Sequence, residues 1–167
     1  MHKPKHQPVT IDKSQLSLRA VQTDDKSFLY QLFSQVKTTE LGAEHWDETQ
    51  LEPLLRMQFN AQQQHYRTWQ GSSDDQIVVF NSQDVGRLII QRTVIEIIIA
   101  DLTLLSEFQN QGIGTSLIQA LQKNSQQLGL PLRLHVFKMS PALTLYQRLG
   151  FEMISTDDTQ DYMEWCA

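Results

Sequence analysis

Two hydrophobic periods take turns along this chain, and their order predicts its elements. Leu16-Ser17-Leu18-Arg19-Ala20-Val21 alternates apolar and polar residues, which predicts a first strand. Thr23 then stands as the cap of a helix with Asp24 and Asp25 in its first turn and a stripe of Phe28, Leu29, Leu32, Phe33 and Val36. The pattern lapses over residues 38–52 and resumes as a helical stripe over residues 53–68, carrying Leu54, Leu55, Phe59 and Tyr66. Proline is tolerated in a first turn, so Pro53 marks the expected start of that helix. Residues 70–75 read as a polar turn. Two strands follow, Ile77-Val78-Val79-Phe80 and Val85-Gly86-Arg87-Leu88-Ile89-Ile90, joined by the hairpin turn Asn81-Ser82-Gln83-Asp84.

Val94-Ile95-Glu96-Ile97-Ile98-Ile99-Ala100 has the β-branched density of a strand buried on both faces. A polar turn follows. Two glycines, Gly112 and Gly114, then open a helix with Ile113, Leu117, Leu121 and Leu128 on one stripe, closed by Gly129 and Pro131. Residues 132–137 predict a strand, Ser140-Pro141 starts a helix ending at Gly150, and residues 151–154 and 162–165 predict a closing strand pair. The order β-α-α-β-β-β-α-β-α-β-β gives an α/β (α+β) mixed sheet in one domain over residues 14–167. Residues 1–13, polar and holding two prolines, are expected to be a disordered tail.

At 167 residues and 40% hydrophobic content the chain carries enough apolar mass for one sizeable core. A formal charge of -5 argues against a nucleic-acid binder, which needs a basic face. A single cysteine, Cys166, permits no intrachain disulfide, and the basic N-terminus leads into no apolar signal segment. No stretch has the length and apolarity of a membrane span, so a soluble cytoplasmic protein is expected. No metal site is expected either, because His45, His65 and His135 lack ligand spacing and His2 and His6 lie in the tail.

The chemistry concentrates at the strand, glycine turn and helix of residues 94–128. A turn of this kind at a helix N-terminus leaves amide N–H groups unpaired and aimed at one point, an anion site whose usual occupant is phosphate. Leu117 stands where the dinucleotide fingerprint needs its third glycine, and no lysine follows the glycines as an ATP-type loop requires. What is present is Gln109-Asn110-Gln111-Gly112-Ile113-Gly114. Downstream stand Leu134-His135-Val136, Ser140-Pro141-Ala142 and Leu145-Tyr146-Gln147-Arg148-Leu149-Gly150-Phe151. Together these resemble the GNAT superfamily of N-acetyltransferases, and the resemblance covers about residues 16–165.

The resemblance implies the fold: a mixed, mostly antiparallel sheet whose central strands splay apart, flanked by helices. It also implies acetyl-CoA as acyl donor. The pantetheine arm would pair with the backbone of Leu102, Thr103 and Leu104, as a peptide adds to a sheet edge. The pyrophosphate would lie on the N–H groups of Gln109, Asn110, Gln111, Gly112, Ile113 and Gly114, with Thr115 in the first helical turn. Family members often carry arginine and glycine at the positions of Gln109 and Asn110; glutamine keeps a donor but loses the charge. Tyr146 matches the tyrosine that protonates the departing thiolate, a role its phenol can fill at neutral pH; its other reading is a packed helix residue. Ser140 stands where the family usually has asparagine, as helix cap or as cofactor contact.

Two acids compete as general base. Strict alternation puts Glu96 on one face with Leu102 and Leu104, and Asp101 on the other with Thr103; a bulge, frequent in the family at this place, would flip that parity. Asp101 lies nearer the thioester and is preferred, with His65, His135 or ordered water as lesser candidates. On the acceptor side stand Trp46, Phe59, His65 and Tyr66, and Met57–Tyr66 resembles a branch whose second helix flanks the acceptor cleft. The preceding loop carries Glu40, Glu44, Asp47, Glu48 and Glu52 with no lysine or arginine from Thr38 to Leu55, which points to a cationic acceptor. The expected reaction is direct acetyl transfer to a primary amine of a small molecule or peptide. The expected partners are acetyl-CoA, that amine and, in an assembly left open, a second copy of the chain; neither nucleic acid nor membrane is expected. Two rivals stand beside this reading: a non-catalytic acyl-CoA-binding module, and an enzyme using a longer acyl-CoA.

Overall fold

The computed structural model describes residue 9 and residues 14–69 and 72–167. Its sheet holds seven strands, β1 (Leu16–Ala20), β2 (Ser73–Phe80), β3 (Gln83–Arg92), β4 (Ile97–Leu104), β5 (Leu132–Phe137), β6 (Glu152–Thr156) and β7 (Gln160–Trp165). Their spatial order is β1-β2-β3-β4-β5-β7-β6. Every neighbouring pair is antiparallel except β4 and β5, which are parallel. Helices α1 (Lys26–Glu40) and α2 (Glu48–Arg67) cover one face; α3 (Ile113–Leu128) and α4 (Ala142–Arg148) cover the other. The α/β mixed sheet and the element order expected from the sequence are both present.

Side-chain alternation decides which helices meet which face. Val78, Leu88, Ile90, Ile97, Ile99, Leu132 and Leu134 point to α3 and α4 and bury Ile113, Leu117, Ile118 and Leu121 in the main core. Ile77 and Val79 point the other way, onto Leu29 of α1 and Phe59 of α2. A small cluster of Ala43, Leu51 and Leu55 fixes the connection between α1 and α2. Arg92, 7% exposed, donates to Asn124 Oδ1 at 2.7 Å and to Asp74 at 3.3 Å, tying α3 to β2 and β3.

Several boundaries differ from the sequence reading for local reasons. Thr23 does not cap α1: Thr23–Asp25 forms a 3-10 turn, and Asp25 accepts both from the Gln22 N–H and from the two terminal nitrogens of Arg19. Helix α2 begins five residues earlier than expected, because Asp47 caps it by accepting the Thr49 N–H. Pro53 therefore lies inside the helix, in the second turn, where it removes one intrahelical bond. Ser73 to Asp75 belong to β2 and not to a turn, since Asp74 and Asp75 pair with arginines of β3. The hairpin turn shrinks to Asn81 and Ser82, both at positive φ (50° and 63°), the geometry of a two-residue connection. Val94 and Ile95 are not buried but 73% and 67% exposed, in a turn where Thr93 Oγ1 accepts the Ile95 and Glu96 N–H groups.

Of the expected tail, residues 1–8 and 10–13 lie outside the described residues, and Val9 packs against the main core. No helix among the described residues is long and apolar enough to cross a membrane.

Candidate active site

The sheet opens at its centre. Parallel pairing of β4 with β5 covers only Ile97, Ile98 and Ile99 opposite Leu132, Arg133 and Leu134; beyond them β5 continues against β7 and β4 continues alone on that side. At the same place β4 carries a bulge: Ile89 opposes Asp101 while Ile90 opposes Ile99, which leaves Ala100 as the extra residue. The bulge flips the parity of the strand. Ile97 and Ile99 share the α3 face with Leu102 and Leu104, while Asp101 and Thr103 turn toward α1 and α2.

Alternation of the antiparallel ladder then determines which backbone groups enter the gap. The Leu105 N–H donates to the Val85 carbonyl, so residues 103 and 101 exchange hydrogen bonds with β3 and residues 102 and 104 do not. The N–H and C=O groups of Leu102 and Leu104 therefore point away from β3, toward the space that β5 has left. Thr103, expected to share this role, has its backbone turned to β3, and its hydroxyl donates to Asp101. Gly86 is required opposite Leu104, because a Cβ there would overlap the Thr103 carbonyl oxygen and the Leu104 side chain.

The chain leaves β4 through a 3-10 turn, Ser106–Phe108, anchored by the Ser106 N–H donating to Gln35 Oε1 of α1 at 2.8 Å. Asn110 and Gly112 then adopt left-handed conformations, φ 59° and 81°. Asparagine tolerates that region better than most side chains, which accounts for it at a position where the family often has glycine. Among the described residues the N–H groups of Asn110, Gln111, Gly112, Ile113, Gly114 and Thr115 have no hydrogen-bond partner; the first helical bond is Ser116 to Gly112. These amides lie at the N-terminus of α3, where the helix dipole adds partial positive charge. Gln109 departs from expectation: its N–H is satisfied by the Ser106 carbonyl, and its side-chain amide donates to the Leu104 carbonyl at 3.0 Å.

Across the gap, α4 carries Tyr146, 8% exposed and edge-on to Phe151 with ring centroids 5.6 Å apart. Burial, followed by the negative charge of Asp101, pushes its phenol up to about 12. Ser140 precedes the Pro141 N-cap of α4, and its Oγ accepts the Ala142 N–H.

Asp101, in β4 opposite Ile89, lies beside the opening, its side chain on the face toward α1 and α2. Burial raises its proton affinity, Asp75 and Glu40 raise it further, and the Thr103 hydroxyl (2.7 Å) and Arg87 oppose them. Arg87, 3% exposed in β3, donates through Nε and Nη2 to both oxygens of Asp75 (2.9 and 2.7 Å) and through Nη1 to Gln63 of α2 (2.7 Å). The Tyr66 ring lies 5.2 Å from its guanidinium, and burial followed by Asp101 pushes the Tyr66 phenol up as well.

The other candidates fare unevenly. Glu96 precedes the paired part of β4 and binds Arg133 at 2.7 Å, which also binds Glu164 at 2.7 Å; this is an ion-pair network at the far end of the strand from the gap. Phe59 is fully buried against Tyr30, Phe33 and Ile77, so it is core and offers no surface to an acceptor. His65 is exposed near the end of α2, with its ring against Trp69 (5.0 Å), and His135 stacks on Tyr162 at 4.3 Å in β7. Trp46 is 49% exposed in the connection between α1 and α2. Arg87, Asp75 and Gln63 were not singled out from the sequence. The available signal was a charged residue inside the apolar run of β3, which a buried face tolerates only with a partner. Among the described residues no cluster of histidine, cysteine and carboxylate side chains could hold a metal.

A family model described as an acetyltransferase (GNAT) domain matches residues 34–166. No curated protein sequence matches the chain. Solved structures do: the PaiA N-acetyltransferase of Thermoplasma acidophilum in complex with coenzyme A is 18% identical, with a TM-score of 0.70 over 91% of this chain and 99% of that one. A RimL ribosomal L7/L12 α-N-protein acetyltransferase is 18% identical, with a TM-score of 0.66 over 96% and 93%. A GNAT family acetyltransferase of Elizabethkingia anophelis with acetyl-CoA bound is 15% identical, with a TM-score of 0.61 over 93% and 100%.

Proposed function

The chain belongs to the GNAT acetyltransferase family, and from that premise we propose that it transfers the acetyl group of acetyl-CoA to a primary amine by direct attack, without an acyl-enzyme. The observation that carries this reading is the parting of β4 from β5, with the Leu102 and Leu104 backbone groups turned into the gap. The fit to the donor rests on two further features. The unpaired amides of Asn110 through Thr115 suit a pyrophosphate, and the backbone groups of Leu102 and the N–H of Leu104 suit the amide-bearing arm that follows it. When bound, acetyl-CoA supplies an activated thioester carbonyl.

The rest is done by side chains of this protein. Asp101 takes the proton that makes the acceptor ammonium a nucleophilic amine, and the Thr103 hydroxyl holds its carboxylate in place. Tyr146 stays protonated at neutral pH and donates to the sulfur as the thiolate leaves. Cys166 is exposed near the end of the chain, its thiol within 3.5 Å of Glu164, and takes no part. Asp101 favours a cation on the acceptor side, with Tyr66 and Trp46 as its aromatic walls. A cytoplasmic setting fits this reading.

The test is release of free CoA thiol from acetyl-CoA over a panel of polyamines, amino sugars, peptide N-termini and amino acids. Turnover on an amine, with N-acetylated product by mass spectrometry, is expected. Saturable acetyl-CoA binding without turnover on any amine would leave only a binding module.

A further inference from the structure

The cleft contains a buried charged cluster that the transfer steps leave without a task. Arg87 opposes Thr103 in the register of β3 and β4, so it is the diagonal neighbour of Asp101 on the same face. Asp75 is its partner from β2, and Gln63 and Tyr66 close over it from α2. A tie between two adjacent strands does not need burial beside a third charge, and a buried ion pair is a weak source of stability. The arrangement makes sense as electrostatics. Without a cation, Asp75 and Asp101 would be two carboxylates on one face of the sheet with no opposite charge between them.

We propose that Arg87 is a positioning residue for the reaction: clamped by Asp75 and Gln63, its guanidinium supplies the fixed positive charge that keeps the Asp101 carboxyl ionised as proton acceptor. The inference rests on the reading of Asp101 as base. Arg87 is suited to the part because it stays charged when buried, and its fork is fully oriented by the two Asp75 oxygens. The groups facing Asp101 are Arg87 of β3, Asp75 of β2, Glu40 of α1, Tyr66 of α2, Tyr146 of α4 and, on its own strand, Thr103. Arg87 is the one cation in that set. Burial alone favours a neutral Asp101, so a neighbouring positive charge is what the base requires.

The sign of two substitutions separates this role from packing. Arg87→Met removes the cation and moves the Asp101 titration upward, by about one pH unit for a unit charge at diagonal-neighbour distance. Asp75→Asn removes a carboxylate, leaves Arg87 less neutralised and moves the titration downward. Both are read by NMR of the full chain, carrying ¹³C-labelled aspartate carboxyls, with Asp101→Asn identifying the resonance. Opposite shifts are expected, and Arg87→Lys, which keeps the charge, holds the titration near that of the parent protein. Shifts of the same sign, or none, overturn the inference. Should Arg87→Met not fold, Arg87→Gln decides in its place: it keeps a donor for Asp75 without the charge, and an Asp101 titration that does not move upward overturns the inference. Kinetics of Asp101→Asn on an amine found by the acceptor panel keep the two readings apart. Retained kcat/KM removes the base and this inference with it, whereas lost activity with an unresponsive titration removes the role of Arg87 alone.

Discussion

Tyr146→Phe separates chemistry from packing because the fold assigns ring and hydroxyl different surroundings. The ring belongs to the main core, 8% exposed and edge-on to Phe151, and phenylalanine preserves it. The hydroxyl sits in shielded space near Asp101, and no hydrogen bond contributes to its raised pKa. Removing a hydroxyl that makes no hydrogen bond within the protein costs little stability. Thermal unfolding of the variant is thus expected to match that of the parent. With its phenol pushed up to about 12, the phenolate fraction at neutral pH is about one part in 10⁵, so the acid form is always available. Loss of a proton donor lowers the rate by about 10²-fold or more, which is about 2.7 kcal/mol or more on the barrier. The assay is steady-state thiol release under saturating acetyl-CoA, beside calorimetric CoA binding and a melting curve. Low kcat with unchanged CoA affinity and unchanged melting is the expected triad. An unchanged kcat would return Tyr146 to the core and leave thiolate protonation to solvent; a large fall in melting temperature would show that the hydroxyl has a structural partner.

Three further predictions concern the cofactor loop, the gap and the first ion pair. Gly112→Asp places a side chain and a negative charge at a left-handed position within the amide cradle; calorimetry should show CoA affinity lost from a folded protein, and intact affinity would remove the anion site from this reading. Gly86→Ala forces β4 away from β3 at Thr103 and Leu104, so it should destabilise the fold by about 1–3 kcal/mol and raise KM for acetyl-CoA; unchanged urea midpoint and KM would contradict the packing argument. The Arg19 guanidinium holds the Asp25 carboxyl below its ordinary value, so this pair stabilises the fold above about pH 4 and the contribution is lost as pH falls through the lower folded value. Asp25→Asn should therefore lower the urea midpoint at about pH 6 and do so much less at about pH 3; an equal deficit at both would exclude the charge as its cause.

The parts of this molecule legible in its sequence are those where one physical signal dominates. The stripe of α3, its glycine stop at Gly129 (φ 65°) and the strand β5 stand where periodicity and turn chemistry put them. The unpaired amides of Asn110 through Gly114 were legible because helix termini expose N–H groups whatever the rest of the chain does. What failed depended on partners distant in sequence. Asp74 and Asp75 look like turn residues until Arg92 and Arg87 make them strand residues. Val94 and Ile95 look buried until Thr93 turns the chain beneath them. The face of Asp101 hinges on the single extra residue at Ala100, and a bulge leaves no mark on hydrophobic alternation. Phe59 reads equally well as core or as cleft, because helical period specifies a face but not what covers it.

The same partners relocate the origin of acceptor preference. As bare sequence, the five carboxylates from Glu40 to Glu52 form a wall that would attract cations over a distance. In the fold, Glu40 meets Lys37 at 3.2 Å, Asp47 caps α2, and Glu52 binds Arg56 at 2.8 Å and accepts the Tyr30 hydroxyl at 2.7 Å. Exposed charges of this kind are screened beyond about 8–10 Å at physiological ionic strength, so they steer an amine weakly. Asp101 is different: it is partly buried, and the field of its carboxylate reaches the gap largely through protein and less through salt water. Preference for a cationic acceptor should then survive high salt. Measured as the ratio of kcat/KM for a diamine to that for its neutral monoamine analogue of equal length, it should change by less than about threefold between 0.05 and 0.5 M salt, because both ions that set it are shielded. A ratio that collapses toward unity at high salt would move the selectivity back to the loop of Glu44 and Glu48.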